Sequence, residues 1–168
     1  MTSVPTEPRP RDPAAVATAM HRLDRVAHAH DMSIDHVDVG RATVSVTITP
    51  EMANGLGVCH GGLVFTLADT AMAYASNAAD ERTFSTTATI DWVRPAQVGS
   101  RLSATSTRAA TRGRNTIHDI VVTDERGEVV ALVRGQTLTV GGRVAAPADG
   151  AAAAMLATDE GGSEEDRR

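Results

Sequence analysis

The chain has 168 residues and a formal net charge of −5, a length suited to one domain and a charge that argues against nucleic acid as a partner, because neutralising phosphates requires a basic surface. One Trp, one Tyr and two Phe leave the core to Val, Leu, Ile, Met and Ala, and oligomerisation would supplement so lean a core. The single Cys forms no intrachain disulfide and fits a reducing compartment, and no signal-peptide pattern opens the chain, so cytoplasmic residence is expected.

In chain order, residues 1–12 are rich in Pro and Arg and read as a disordered arm. Asp12-Pro13 is a cap followed by proline at the first helical position, and Val16, Met20, Leu23, Val26 and Ala27 place an amphipathic helix over 14–30. Ile34, Val37 and Val39 lead to a hairpin at Gly40, after which Val44, Val46 and Ile48 alternate with Ser45, Thr47 and Thr49 in the period of a half-buried strand. The run from Gly61 to Ala79 reads as one long apolar helix. It is not a membrane span, because Asp69 stands at its centre and Thr66, Thr70, Ser76 and Asn77 add polar groups. Four β-rich segments follow, Thr83 to Val93, Leu102 to Thr107, Thr116 to Val122 and Val129 to Val140, with turns at Arg112-Gly113 and Glu125-Arg126-Gly127. Strands, a helix, then a run of strands is an α+β pattern. From 144 to 168, Ala, Gly and acidic residues replace any periodicity and read as a disordered tail, leaving 13–143 as the domain.

The chemistry concentrates in Asn54–Asn77. A carboxylate on a packed helix costs several kcal/mol unless it is paired or used, so Asp69 is either structurally partnered or catalytic. His60-Gly61-Gly62, directly before the helix, lets the backbone approach a ligand and leaves the first amides unobstructed. Such amides, aided by the helix dipole, suit an oxyanion, although a Gly-Gly pair also serves tight packing alone. Gly61 and Asp69 are about two turns apart, roughly 12 Å along a helix axis, and cannot meet at one carbonyl. If both serve one reaction, the helix start of one chain must meet the helix middle of another, and the protein is an obligate dimer with a composite site.

The segment from Asn54 to Asn77, with Ala88-TIDWVRP-Ala96 and Val130-ALVRGQTLTVGG downstream, resembles the PaaI-type thioesterases of the hotdog superfamily, which hydrolyse phenylacetyl-CoA and related thioesters. The resemblance implies an antiparallel sheet of five or six strands wrapped around one long helix, in a dimer and then a dimer of dimers. It implies Asp69 as general base or nucleophile and the Gly61 amide of the neighbouring chain as oxyanion donor. By the same resemblance His60 steadies the loop or bonds the carbonyl, Asn54 orients water or substrate, and Gly62, Thr70 and Thr87 belong to the pocket. CoA is a polyanion; Arg94, Arg112, Arg114 and Arg134 are the basic candidates for its phosphates, and the family's ligand placement favours Gly113, Arg114 and Arg134. Met72 stands where many relatives carry an aromatic, which leaves the acyl group open.

No cofactor and no metal are expected: His28 and His30 fall on different helix faces, and HExxH and CxxC are lacking. Cys59 beside His60 reads as a small hydrophobe rather than a thiolate, and the GxSxG elbow of serine hydrolases is absent. The alternatives are a hotdog hydratase, a non-catalytic acyl-CoA-binding module and a purely structural dimer.

Overall fold

The computed structural model describes residues 12–144; the expected arm and tail fall almost wholly outside them. Pro13–His21 forms α1, capped by the Asp12 side chain, which accepts from the Ala14 amide. The continuous helix expected over 14–30 is instead broken. A second short helix, α2 (Arg25–Ala29), starts at Asp24, whose carboxylate caps the Ala27 amide and also accepts from the Tyr74 hydroxyl. That capping outweighs the apolar period, and Leu23 and Val26 are left exposed at 77% and 50%.

Strands β1 (Ser33–Asp38) and β2 (Arg41–Thr47) form the expected hairpin at Gly40, whose φ of +81° favours glycine. Helix α3 spans Gly61–Asn77. The remaining strands are β3 (Thr83–Trp92), β4 (Arg101–Arg112), β5 (Asn115–Thr123) and β6 (Val129–Thr139). Strand β4 runs to Arg112 rather than Thr107. Its extension carries no apolar alternation and is held by antiparallel pairing with β5 through Arg112↔Asn115.

All six strands make one antiparallel sheet in the order β1-β2-β4-β5-β6-β3, with β1 and β3 at its edges. The sheet wraps α3, the hotdog arrangement. Val64, Leu67, Ala68, Ala71, Met72 and Ala75 of the helix pack on Val44, Leu102, Ala104, Ile120, Val122 and Val133 of the sheet, all buried, each large side chain contributing about 1.5–3 kcal/mol. Beneath Met72 the sheet carries Gly135, where a Cβ would collide with the Met72 sulphur, so the helix lies close to β6.

The end of α3 is tied to the start of β3. Asn77 Nδ2 donates to the Thr83 carbonyl (3.0 Å) and its Oδ1 accepts from the Thr83 amide (2.9 Å), which fixes the next residues of β3 relative to the helix. Among the described residues no helix is long and apolar enough to cross a membrane.

Candidate active site

Helix α3 begins where His60 ends an extended turn: its backbone is non-helical (φ −63°, ψ 129°) and its Nδ1 accepts from the Gly62 amide at 2.9 Å. Histidine thus takes the cap position usually filled by Ser, Thr, Asp or Asn. Because Nδ1 accepts, a neutral ring carries its proton on Nε2, directed away from the cap. Glycine at 62 keeps room for this, since a Cβ there would lie 3.0 Å from His60 Nδ1. The Leu63 amide donates to the His60 carbonyl (2.9 Å), whereas the Gly61 amide has no acceptor among the described residues. It remains a free donor at the positive end of a 17-residue helix.

Asn54 heads the turn before it. Its Oδ1 accepts from the Leu56 amide (2.8 Å) and its carbonyl from the Gly57 amide (3.0 Å), so Oδ1 is committed to the turn and Nδ2 is left to donate. Asn54 and Gly61 line one pocket of about 350 Å³, together with Val58, Val64, Trp92 and Arg94. Trp92 was not singled out from sequence, and as the chain's sole tryptophan it was the signal to follow. Its Nε1 donates to the Gly61 carbonyl (3.3 Å), and its Nε1, Cε2 and Cζ2 atoms stand where a Gly61 side chain would be. Cys59 is buried, and burial pushes its thiol pKa up, away from a thiolate.

Asp69 lies two turns along α3, half-buried and outside that pocket. Its Oδ1 accepts from Ser85 Oγ at 2.9 Å. Ser85 also escaped the sequence reading, for a structural reason: β3 bulges between Ser85 and Thr87, which re-aims a side chain locally. The register puts Ser85 level with Thr137 and Trp92 with Ala131, so carboxylate and pocket lie toward opposite ends of β3.

The other expected site residues scatter. Thr70 is buried and spends its hydroxyl on the Thr66 carbonyl (2.8 Å). Thr87 pairs with the exposed Gln136 on the sheet face turned away from α3, so it does not adjoin Asp69 in the same chain. Gly113 and Arg114 form the β4–β5 turn. That turn is level with Phe84 through Asn115↔Leu138↔Phe84, roughly 26 Å along the sheet from Trp92. Arg134 is held bidentately by Asp119 (2.7 and 3.1 Å) on the outward face, and this bonding lowers the Asp119 pKa and raises that of Arg134. Arg94, beside the pocket, pairs with Glu128. Met72 is fully buried against Gly135 and lines no part of the pocket.

Residues 56–131 match the family model of the thioesterase superfamily. The chain is 39% identical over 129 residues to the acyl-coenzyme A thioesterase PaaI of Escherichia coli, covering 76% of this chain and 91% of that one. The chain belongs to the PaaI-type thioesterases of the hotdog superfamily. Solved structures agree. The E. coli PaaI protein from the phenylacetic acid degradation operon superposes with a TM-score of 0.77 at 36% identity, covering 79% of this chain and 96% of that one. A mutant of the phenylacetic acid degradation protein PaaI from Thermus thermophilus gives 0.67 at 27% identity, covering 70% and 100%. As a member of this family the chain is a thioester hydrolase.

Proposed function

We propose that the protein hydrolyses acyl-CoA thioesters carrying an aryl-acetyl group, such as phenylacetyl or hydroxyphenylacetyl, in a dimer whose active sites are each built from two chains. One observation carries the reading: Gly61 and Asn54 line the pocket at the Trp92 end of β3, while Asp69 sits by Ser85 at the other end. Strand β3 is a sheet edge. A second β3 pairing antiparallel across that edge exchanges ends, bringing Ser85 and Asp69 of the partner subunit toward Gly61 and Trp92. The partner subunit's Gly113 and Arg114 arrive at the same end. Arg114 has no carboxylate partner among the described residues, so it is the better phosphate contact, Arg134 being committed to Asp119.

In this arrangement the thioester carbonyl oxygen accepts from the Gly61 amide, and the helix start stabilises the negative charge that develops there. Asn54 Nδ2 and His60 Nε2 are free to orient the carbonyl or the attacking water. Ser85 occupies Asp69 Oδ1 and leaves Oδ2 to take a proton from water as it attacks the carbonyl carbon, or to attack that carbon itself. On the water route the C–S bond then breaks and the CoA thiolate leaves with the proton that Asp69 took up, releasing the acid. On the direct route C–S cleavage leaves a mixed anhydride on Asp69, the thiolate takes its proton from solvent, and a water molecule hydrolyses the anhydride to free the acid and restore the carboxylate. Thr70, its hydroxyl spent on the Thr66 carbonyl, and Thr87, opposite the exposed Gln136, take no chemical role in this arrangement. The outward face exposes Leu132 (45%) and Val121 (37%), which supports a further pairing into a dimer of dimers.

The test is release of free thiol from a panel of acyl-CoA substrates by the wild type and Asp69→Asn. Wild-type turnover, falling in the variant by roughly two to four orders of magnitude with the dimer intact, is expected. Binding without turnover would make the protein an acyl-CoA-binding module, and wild-type rates in the variant would make Asp69 structural.

A further inference from the structure

We infer that Trp92 is the specificity-determining residue of this pocket, its indole face being the surface on which a planar aromatic acyl group rests. The inference deepens the thioesterase reading and rests on it. Three features place the ring. Trp92 lines the pocket that holds Asn54 and Gly61, with Val58, Val64 and Pro95 supplying the other apolar walls. Its Nε1–H is used on the Gly61 carbonyl, which removes its only polar atom from the ligand and locks the ring's orientation relative to the oxyanion donor. The Gly61 Cα lies so close that a Cβ there would meet Nε1 at 3.0 Å and Cε2 at 3.2 Å, so the ring also fills the space a side chain would take.

Even so, Trp92 is 56% exposed. A ring held by a hydrogen bond, more than half exposed and lining the pocket presents a preformed flat wall at little conformational cost. An acyl group whose carbonyl sits on the Gly61 amide extends along that wall. A flat aryl ring stacks there, while a flexible chain of similar carbon count loses rotamer freedom and gains no ring contact. The stacking increment corresponds to a preference of about three- to tenfold.

Trp92 is the only tryptophan in the chain, so its fluorescence reports on the site alone. Titrating Asp69→Asn with phenylacetyl-CoA, hexanoyl-CoA and free CoA should give a saturable change in Trp emission with phenylacetyl-CoA that free CoA does not produce. In parallel, the kcat/KM ratio for phenylacetyl-CoA over hexanoyl-CoA should fall about three- to tenfold in Trp92→Leu and stay within about twofold of wild type in Trp92→Phe, which keeps an aromatic face. An unchanged ratio in Trp92→Leu overturns the inference, and so does an emission change given in full by free CoA, which would seat the nucleotide there. Hydrolysis of both thioesters without preference would sink the inference and leave the thioesterase reading standing. An emission response confined to phenylacetyl-CoA, with no turnover by the wild type, would keep the acyl wall and sink the thioesterase reading.

Discussion

Gly61→Ala separates the role of the helix-start amide from the stability of the helix. The new Cβ would stand 3.0 Å from Trp92 Nε1, 3.2 Å from Cε2 and 3.5 Å from Cζ2, against ordinary carbon contacts of about 3.5–4.0 Å. The indole must withdraw by roughly half an ångström, and the bond from Nε1 to the Gly61 carbonyl, already 3.3 Å, is lost. A hydrogen bond of this kind is worth about 0.5–1.5 kcal/mol. The low end applies, because Trp92 is half exposed and water can replace the partner. Alanine offsets this by up to about 1 kcal/mol of helix propensity, less at a terminal position. The net change in stability is therefore within about 1 kcal/mol, a shift of a few degrees in Tm. Catalysis has no such compensation. A displaced wall and a methyl group beside the amide misalign a donor whose complete loss costs about 10²–10³ in kcat, so a drop of about 10- to 100-fold is expected. Thiol release from phenylacetyl-CoA and urea denaturation measure the two quantities. Unchanged kcat with near-native stability would remove the Gly61 amide from the chemistry, and a destabilisation above about 3 kcal/mol would mean that the indole cannot move as argued.

Further predictions concern the groups around this site. Ser85→Ala removes the hydrogen bond that Asp69 accepts among the described residues; kcat should fall about 5- to 30-fold with little change in unfolding free energy, the loss of a positioning bond being of order 1–2 kcal/mol, and wild-type kcat would make that bond incidental. Asn77→Ala breaks both bonds to the Thr83 backbone and leaves buried groups unpaired, so chemical denaturation should show a loss of about 2–4 kcal/mol; a loss under 1 kcal/mol would mean that water substitutes for the amide. Burial, reinforced by Arg108, lowers the His118 pKa to about 4. The unfolded chain, with an imidazole pKa near 6.5, then binds the extra proton. This contribution is complete above about pH 6.5 and is lost as pH falls toward 4, with a slope approaching about 1.4 kcal/mol per pH unit. Denaturation curves of wild type and His118→Gln across that window should diverge by this slope, and parallel curves would show that His118 is protonated in the fold.

Where neighbours in sequence decide a structure, the chain was readable. Asp12-Pro13 opens a helix because a side-chain cap and a fixed φ act within three residues. The Gly61–Asn77 helix follows from an apolar run bounded by His60-Gly61-Gly62, and the turns at Gly40, Gly113 and Gly127 follow from glycines able to take positive φ. The two-turn separation of Gly61 from Asp69 is likewise a property of the helix alone, and it already required a second chain for any shared chemistry. At Asp24 the cap on the Ala27 amide is local, but it competes with an unbroken apolar period, and the Tyr74 hydroxyl that also holds the carboxylate comes from 50 residues away. The length of β4 was not readable, its last stretch being held by its pairing with β5. Ser85 and Trp92 show the same limit at the site. A bulge in β3 aims one at Asp69, and the packing of β3 beside the start of α3 lays the other over Gly61. Local spacing determines which backbone conformations and faces a segment offers, whereas the meeting of Ser85 with Asp69 and of Trp92 with Gly61 depends on strand register and helix placement, which exist only once the sheet has closed around the helix.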